Sequence, residues 1–213
     1  MKPIRVISGR AVPLERSDVD TDQIIPAVWL KRVERTGFGK GLFSSWRDGD
    51  RDFVLNRPEY AGANILVAGP NFGTGSSREH AVWALMDYGF EAVVSSRFGD
   101  IFRNNATKAG LVPVQVDPAV ASALMEAVGR DPSTEVAVDL ERLCIEAPAA
   151  GIEASFPLDP FTQHRLLEGL DDIGLTLRHS LDIDAYEQGR RGWLPSVPVA
   201  SPGPPSSSKV TAS

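Results

Sequence analysis

The sequence predicts an α/β fold, with a mostly parallel core sheet flanked by helices and a small β appendage. Two observations carry this. Between residues 64 and 116, apolar-rich runs (64–68, 91–95 and 112–116) alternate with stretches of helical period (78–88 and 99–109). Strand, helix, strand, helix, strand is the order of parallel crossover units. Beyond residue 130 the apolar runs become short and closely spaced, which suits antiparallel strands.

In chain order, residues 3–9 and 11–14 are expected as opening strands, followed by the polar knot Ser17-Asp18-Val19-Asp20-Thr21-Asp22 and a short helical piece around 27–33. Residues 34–60 mix Gly, Asp, Arg and aromatics without a clear period. So long a stretch is expected as a functional loop rather than scaffold. After the alternating segment, 118–129 reads as a helix with Pro118 at its start and Gly129 past its end. Short strands are expected within 135–146 and 151–156, then helices at about 160–169 and 180–191. The folded domain spans 1–194. The stretch 195–213, rich in Pro and Ser with few large apolar groups, is expected as a disordered tail.

Composition excludes several functions. Of 213 residues, 42% are hydrophobic, enough for one substantial core. The net charge is −6 and no Lys/Arg run forms a phosphate-neutralising stripe, so no nucleic-acid partner is expected. Apolar runs fall short of the roughly 18 residues a membrane span needs, and the opening MKPIRVISGR lacks the apolar core of a signal peptide. A cytoplasmic protein with no membrane association is the expectation. Cys144 is the single cysteine, and His80, His164 and His179 are scattered, so no metal site is expected in this chain.

The most informative segment is Gly69 to His80, GPNFGTGSSREH, between the apolar run Ile65–Ala68 and the helix-like stretch Ala81–Tyr88. A strand, a glycine-rich turn and a helix start bring backbone N–H groups together and favour an anion. Helix capping accounts for one serine and for Glu79. It leaves unexplained Gly73, Gly75 and the cation Arg78 at a positive helix end, where an anion is needed to offset it. Two hydroxyls and a guanidinium there form a compact receptor for a carboxylate. The lysine of a phosphate-binding P-loop is missing, as is the third glycine of a dinucleotide turn.

A second group is Asp20-Thr21-Asp22, where a cap or Asx turn competes with a site role and is favoured on residue type alone. Arg32 and Arg35 follow, next to Gly37-Phe38-Gly39. In the third group, Phe98, Ile101 and Phe102 have the spacing of a buried helical face. Packing is the expected role there, with Arg103 and Asn104 either lining the site or making capping contacts. His80 is expected as a structural group.

Together, Asp20 to Pro26, Arg35-Thr36-Gly37-Phe38-Gly39, Asn71 to His80, and Ala92-Val93-Val94 with Phe98 to Phe102 resemble the 3-isopropylmalate dehydratase small-subunit family. That family corresponds to the swivelling β/β/α domain at the C-terminus of the aconitase superfamily. The resemblance runs from about residue 3 to residue 190. It implies that Ser76 is the alkoxide base and that Asp22 belongs to the catalytic site. Ser77, Arg78, Arg35 and Thr21 would bind substrate, with Arg35 chosen over Arg32. Thr74 stands where many relatives carry cysteine. The resemblance also implies a [4Fe-4S] cluster held by a separate large subunit and none bound here. The reaction implied is the interconversion of 2-isopropylmalate and 3-isopropylmalate through 2-isopropylmaleate in leucine biosynthesis, active only with the large subunit. The 34–60 loop would close over this small dicarboxylate, with Phe38, Leu42 or Phe43 near its isopropyl group. Two other readings share the motif: the small subunit of a sister hydro-lyase acting on homoaconitate or a methylmalate, and a non-catalytic dicarboxylate-binding module.

Overall fold

The computed structural model describes residues 1–31, 36–191 and 193. Seven strands form one sheet in the order β4-β3-β2-β1-β5-β6-β7: β1 (Val6–Leu14), β2 (Ile65–Ala68), β3 (Ala92–Ser95), β4 (Val112–Gln115), β5 (Glu135–Asp139), β6 (Cys144–Ala147) and β7 (Ile152–Ser155). The helices are α1 (Thr21–Ile24), α2 (Ser44–Arg47), α3 (Glu79–Tyr88), α4 (Asp100–Ala109), α5 (Pro118–Arg130), α6 (Pro160–Glu168), α7 (Asp172–Leu177) and α8 (Ser180–Gln188). The chain divides into two compact units, Met1–Leu175 and Thr176–Ser213, and α8 lies in the second. Among the described residues no helix is long and apolar enough to cross a membrane. Arg32 and Arg35, and the stretch 195–213 expected as a tail, lie outside the described residues.

The two opening strands of the sequence reading are one strand with two partners. The first half of β1 pairs antiparallel with β5, from Val6 opposite Asp139 to Arg10 opposite Glu135. Its second half pairs parallel with β2, from Ala11 opposite Ile65 to Leu14 opposite Ala68. Burial follows the pairing: Val6 and Ser8 are exposed beside buried Ile7, whereas Ala11 to Leu14 are all buried. A strand inside a parallel sheet is covered on both faces and loses its polar alternation. β2 and β3 are buried throughout for the same reason. β2, β3 and β4 continue parallel, joined through α3 and α4. β5, β6 and β7 form the antiparallel appendage.

Residues 36–60 depart from the expected loop. They form α2 and three 3-10 turns (Phe38–Gly41, Val54–Asn56, Pro58–Tyr60) around an aromatic cluster. Phe38, Leu42 and Phe43 are at most 1% exposed and belong to the core rather than to a substrate-facing surface. Phe43 stacks on Trp46 at 5.4 Å, and the Arg16 guanidinium covers Trp46 at 4.3 Å. Trp29 Nε1 donates to Ser44 Oγ at 3.1 Å. Single aromatic plugs set on short turns leave no helical or strand period to read. α5 likewise runs one residue past Gly129 to Arg130, where the Asp131 amide donates to the Ala127 carbonyl at 2.9 Å. The short α7 sets Ile173, Leu175 and Leu177 at every second position, which is not a helical period, and it is absent from the sequence expectations.

Candidate active site

The site is built where β2 ends. The buried Ser95 hydroxyl, at the end of β3, donates to the Gly69 carbonyl at 2.8 Å and also lies 2.9 Å from the Arg97 carbonyl. It ties the exits of two parallel strands together under the glycine-rich loop. A serine closing an otherwise apolar run is the sequence signal that could have found it. Phe72 N donates to the Arg97 carbonyl and Gly99 N to the Phe72 carbonyl, at 3.0 and 2.9 Å. The loop is thereby laced to the start of α4.

Gly73 has φ +75°, and a Cβ there would overlap the buried Phe102 ring. Glycine is therefore required twice over, for the left-handed backbone and for the close approach. Phe98 and Phe102 stack at 6.2 Å, and Phe72 meets Phe102 edge-on at 5.3 Å. The packing role expected for this aromatic pair is the one observed. Exposed Ile101 does not join it.

The polar knot zips onto the same loop. Gly73 N donates to the Val19 carbonyl at 2.7 Å, and Thr21 N to the Thr74 carbonyl at 2.9 Å. Asn71 Nδ2 donates to Asp18 Oδ1 at 2.7 Å. Asp20 then caps α1 through a complete capping box: its carboxylate accepts from Gln23 N at 2.7 Å, and Asp20 N donates to Gln23 Oε1 at 2.9 Å. The cap reading thus holds for Asp20 and releases its neighbours. In the first turn of α1, Thr21 points inward at 2% exposure and Asp22 points out.

This arrangement joins Thr21 and Asp22 to the serine–arginine run. Thr21 Oγ1 donates to the Ser76 carbonyl at 3.0 Å and lies 3.3 Å from Ser76 Oγ. Asp22 pairs with Arg78 Nη1, supplying the anion that a cation at the head of α3 requires. The Asp22 side chain is 55% exposed and that of Arg78 20%. Neither serine caps α3: the N-cap is Arg78 itself, extended at φ −127°, ψ 104°, and no side chain caps the first turn. Ser76 and Ser77 stay exposed with their hydroxyls outside the capping role.

His80 packs between Phe38 and Trp83, at ring distances of 5.3 and 4.7 Å, on the buried side of α3. The Phe38–Gly41 turn is fixed to the other end of that helix, where Gly39 N donates to Asp87 Oδ2 at 2.8 Å. A Cβ on Gly39 would lie 2.7 Å from Tyr88 N. The described chain just after Arg35 is therefore anchored to the helix that carries Arg78. Arg103 is exposed on α4, and its amide closes the helix start on Gly99 O at 3.0 Å.

Chemically, this is an open face with two hydroxyls, a half-hidden guanidinium, a carboxylate and an uncapped helix N-terminus. It can hold a carboxylate and place a hydroxyl oxygen beside it. It offers no ligand set for a metal cluster. The chain has one cysteine, buried on β6, and among the described residues no group of three His, Cys, Asp or Glu could hold an ion.

The aconitase C-terminal domain family matches residues 1–119, and the family of C-terminal domains of the 3-isopropylmalate dehydratase small subunit matches residues 172–195. A 3-isopropylmalate dehydratase small subunit from Parafrankia sp. is 62% identical over 92% of this chain and all of its own length. The Streptomyces coelicolor protein of that name is 61% identical over 89% of this chain and 95% of its own. The crystal structure of 3-isopropylmalate dehydratase from Methanocaldococcus jannaschii superposes with a TM-score of 0.63 at 26% identity, covering 84% of this chain and 98% of that one. With its seven-stranded sheet and its Gly-Ser-Ser-Arg-Glu-His loop, the chain belongs to the 3-isopropylmalate dehydratase small-subunit family of the aconitase superfamily.

Proposed function

We propose that this chain is the small subunit of a two-chain hydro-lyase that interconverts 2-isopropylmalate and 3-isopropylmalate through 2-isopropylmaleate, in the cytoplasm. What supports the reading is that Asp22, paired with Arg78, and the exposed Ser76 and Ser77 belong to one loop and helix start, with Thr21 buried behind Ser76. In this scheme Ser76 Oγ removes the proton from the carbon next to a carboxylate, and the hydroxyl leaves from the neighbouring carbon. Rehydration returns them in exchanged positions. Proton removal beside a carboxylate builds negative charge, so a cationic, N–H-rich pocket stabilises the transition state.

Each residue has a physical task. Arg78 and Ser77 grip the substrate carboxylate, and the five N–H donors of a guanidinium leave room for Asp22 as well. Asp22 keeps Arg78 aimed at the face before substrate arrives. Thr21 is buried behind Ser76 and serves substrate through it. Its hydroxyl turns from the Ser76 carbonyl to Ser76 Oγ when that oxygen carries charge. Arg35 adds a second cation to the site. The [4Fe-4S] group, which would polarise the leaving hydroxyl, is assigned in this reading to a large-subunit partner, since clusters are held by several thiolates and this chain has the single cysteine Cys144. That partner also closes the open side of the site.

The test is Arg78→Ala assembled with the large subunit. Turnover should fall by about a hundredfold or more, the typical cost of removing one charge-stabilising donor, while the variant still folds and pairs. Near-normal turnover in a properly assembled pair would sink the assignment.

A further inference from the structure

Two residues near the foot of the glycine-rich loop hold a backbone conformation that side chains avoid. Asp18 has φ +55° and Asn71 φ +60°, the left-handed region in which a Cβ crowds the following carbonyl. The same loop meets this need elsewhere with glycine, at Gly73 (φ +75°) and Gly75 (φ +91°). Aspartate and asparagine at the other two positions therefore bring something that glycine cannot. What they bring is a bond to each other, from Asn71 Nδ2 to Asp18 Oδ1 at 2.7 Å.

The place of this bond gives it a task. The polar knot and the glycine-rich loop run parallel, bridged between Asp20 and Thr74. Asp18 N donates to the Pro70 carbonyl at 2.9 Å, Gly73 N to the Val19 carbonyl at 2.7 Å and Thr21 N to the Thr74 carbonyl at 2.9 Å. The Asp18–Asn71 bond closes one end of this ladder. At its other end come Thr21 with Ser76 and Asp22 with Arg78. A slip of one residue between the two segments would put Asp20 or Asp22 where Thr21 now backs Ser76. Val19, fully buried, resists the slip by packing, and the side-chain bond resists it by tying Asp18 to Asn71. The bond is exposed to solvent, so its share in overall stability is small.

We propose that Asp18 and Asn71 are positioning residues for the hydro-lyase reaction, an inference that rests on the functional reading above. Their bond sets the register between the knot and the loop. Its effect on turnover passes through Thr21, held behind Ser76 Oγ, and through Asp22, held beside Arg78.

The experiment is steady-state kinetics of the chain assembled with the large subunit, with thermal denaturation of every variant. Asn71→Gly removes the bond and also relieves the left-handed backbone, so the variant should fold. Its kcat should fall about tenfold, as small misplacements of reacting groups do. Asn71→Asp sets two carboxylates against each other and should lose at least as much. Combining it with Asp18→Asn restores one donor and one acceptor and should recover most of the activity. In a Thr21→Val background Asn71→Gly should cost at most about threefold, because part of its effect passes through a hydroxyl already removed. Unchanged kcat in folded Asn71→Gly overturns the proposal, whether or not the thermal midpoint falls. So does a double exchange no better than Asn71→Asp, or a full tenfold loss in the Thr21→Val background. A wild-type pair without turnover overturns the functional reading itself, and this inference with it.

Discussion

Asp20, Thr21 and Asp22 are three consecutive polar residues with three separate tasks. Asp20 caps α1, Thr21 backs Ser76, and Asp22 holds Arg78. Their division follows from the geometry of a helix start, where successive side chains point about 100° apart. If Thr21 steadies the charged form of Ser76, Thr21→Val should lower kcat of the assembled enzyme by roughly ten- to a hundredfold. That is the range of one hydrogen bond to a charged group. KM should change little, and Thr21→Ser should recover most of the activity. A proportional rise in KM instead would make Thr21 a ground-state contact. The cap on Asp20 was legible from residue type. The inward turn of Thr21 was not, because it goes with the hydrogen bond from its amide to the Thr74 carbonyl, more than fifty residues away in sequence.

At the scale of elements, the glycine-rich loop is held by close approach as well as by side-chain hydrogen bonds from Ser95, Asn71 and Thr21. Gly73→Ala should destabilise the chain by roughly 2–4 kcal/mol, combining a left-handed backbone with collision against Phe102. Gly89→Ala is the control. Its φ is +119° but nothing lies near its would-be Cβ, so only the backbone cost of about 1–2 kcal/mol applies. Urea denaturation of both variants separates the two contributions, and equal losses would deny the packing role of Gly73. The parallel core was readable because β2, β3 and β4 each make one apolar run between helical stretches. The 34–60 stretch read as an unstructured loop because the buried residues of its described part plug the core singly, on turns too short to show a period. Phe38, Leu42 and Phe43, expected near the substrate, are core residues in this structure. The serine run changed role for a related reason. α3 begins one residue later than the 78–88 expectation, so Arg78 takes the cap position and both serines stay on the surface.

For the whole molecule, the candidate face is open, and the proposal draws from it a carboxylate grip and a base, whereas among the described residues no group of His, Cys, Asp or Glu could hold a metal ion. Membership of the small-subunit family gives this incompleteness a reason, since such a face needs a second chain to close it. The sequence carried that conclusion early, through one cysteine and one specific loop. The measurement that goes to the heart of the split-site reading is reconstitution. The chain is mixed anaerobically with its large subunit bearing an intact cluster, and 2-isopropylmaleate formed from 3-isopropylmalate is followed by ultraviolet absorbance. Turnover in the mixture, with neither chain active alone, is the predicted result. Silence of the mixture with the cluster intact, or turnover by either chain alone, would contradict it.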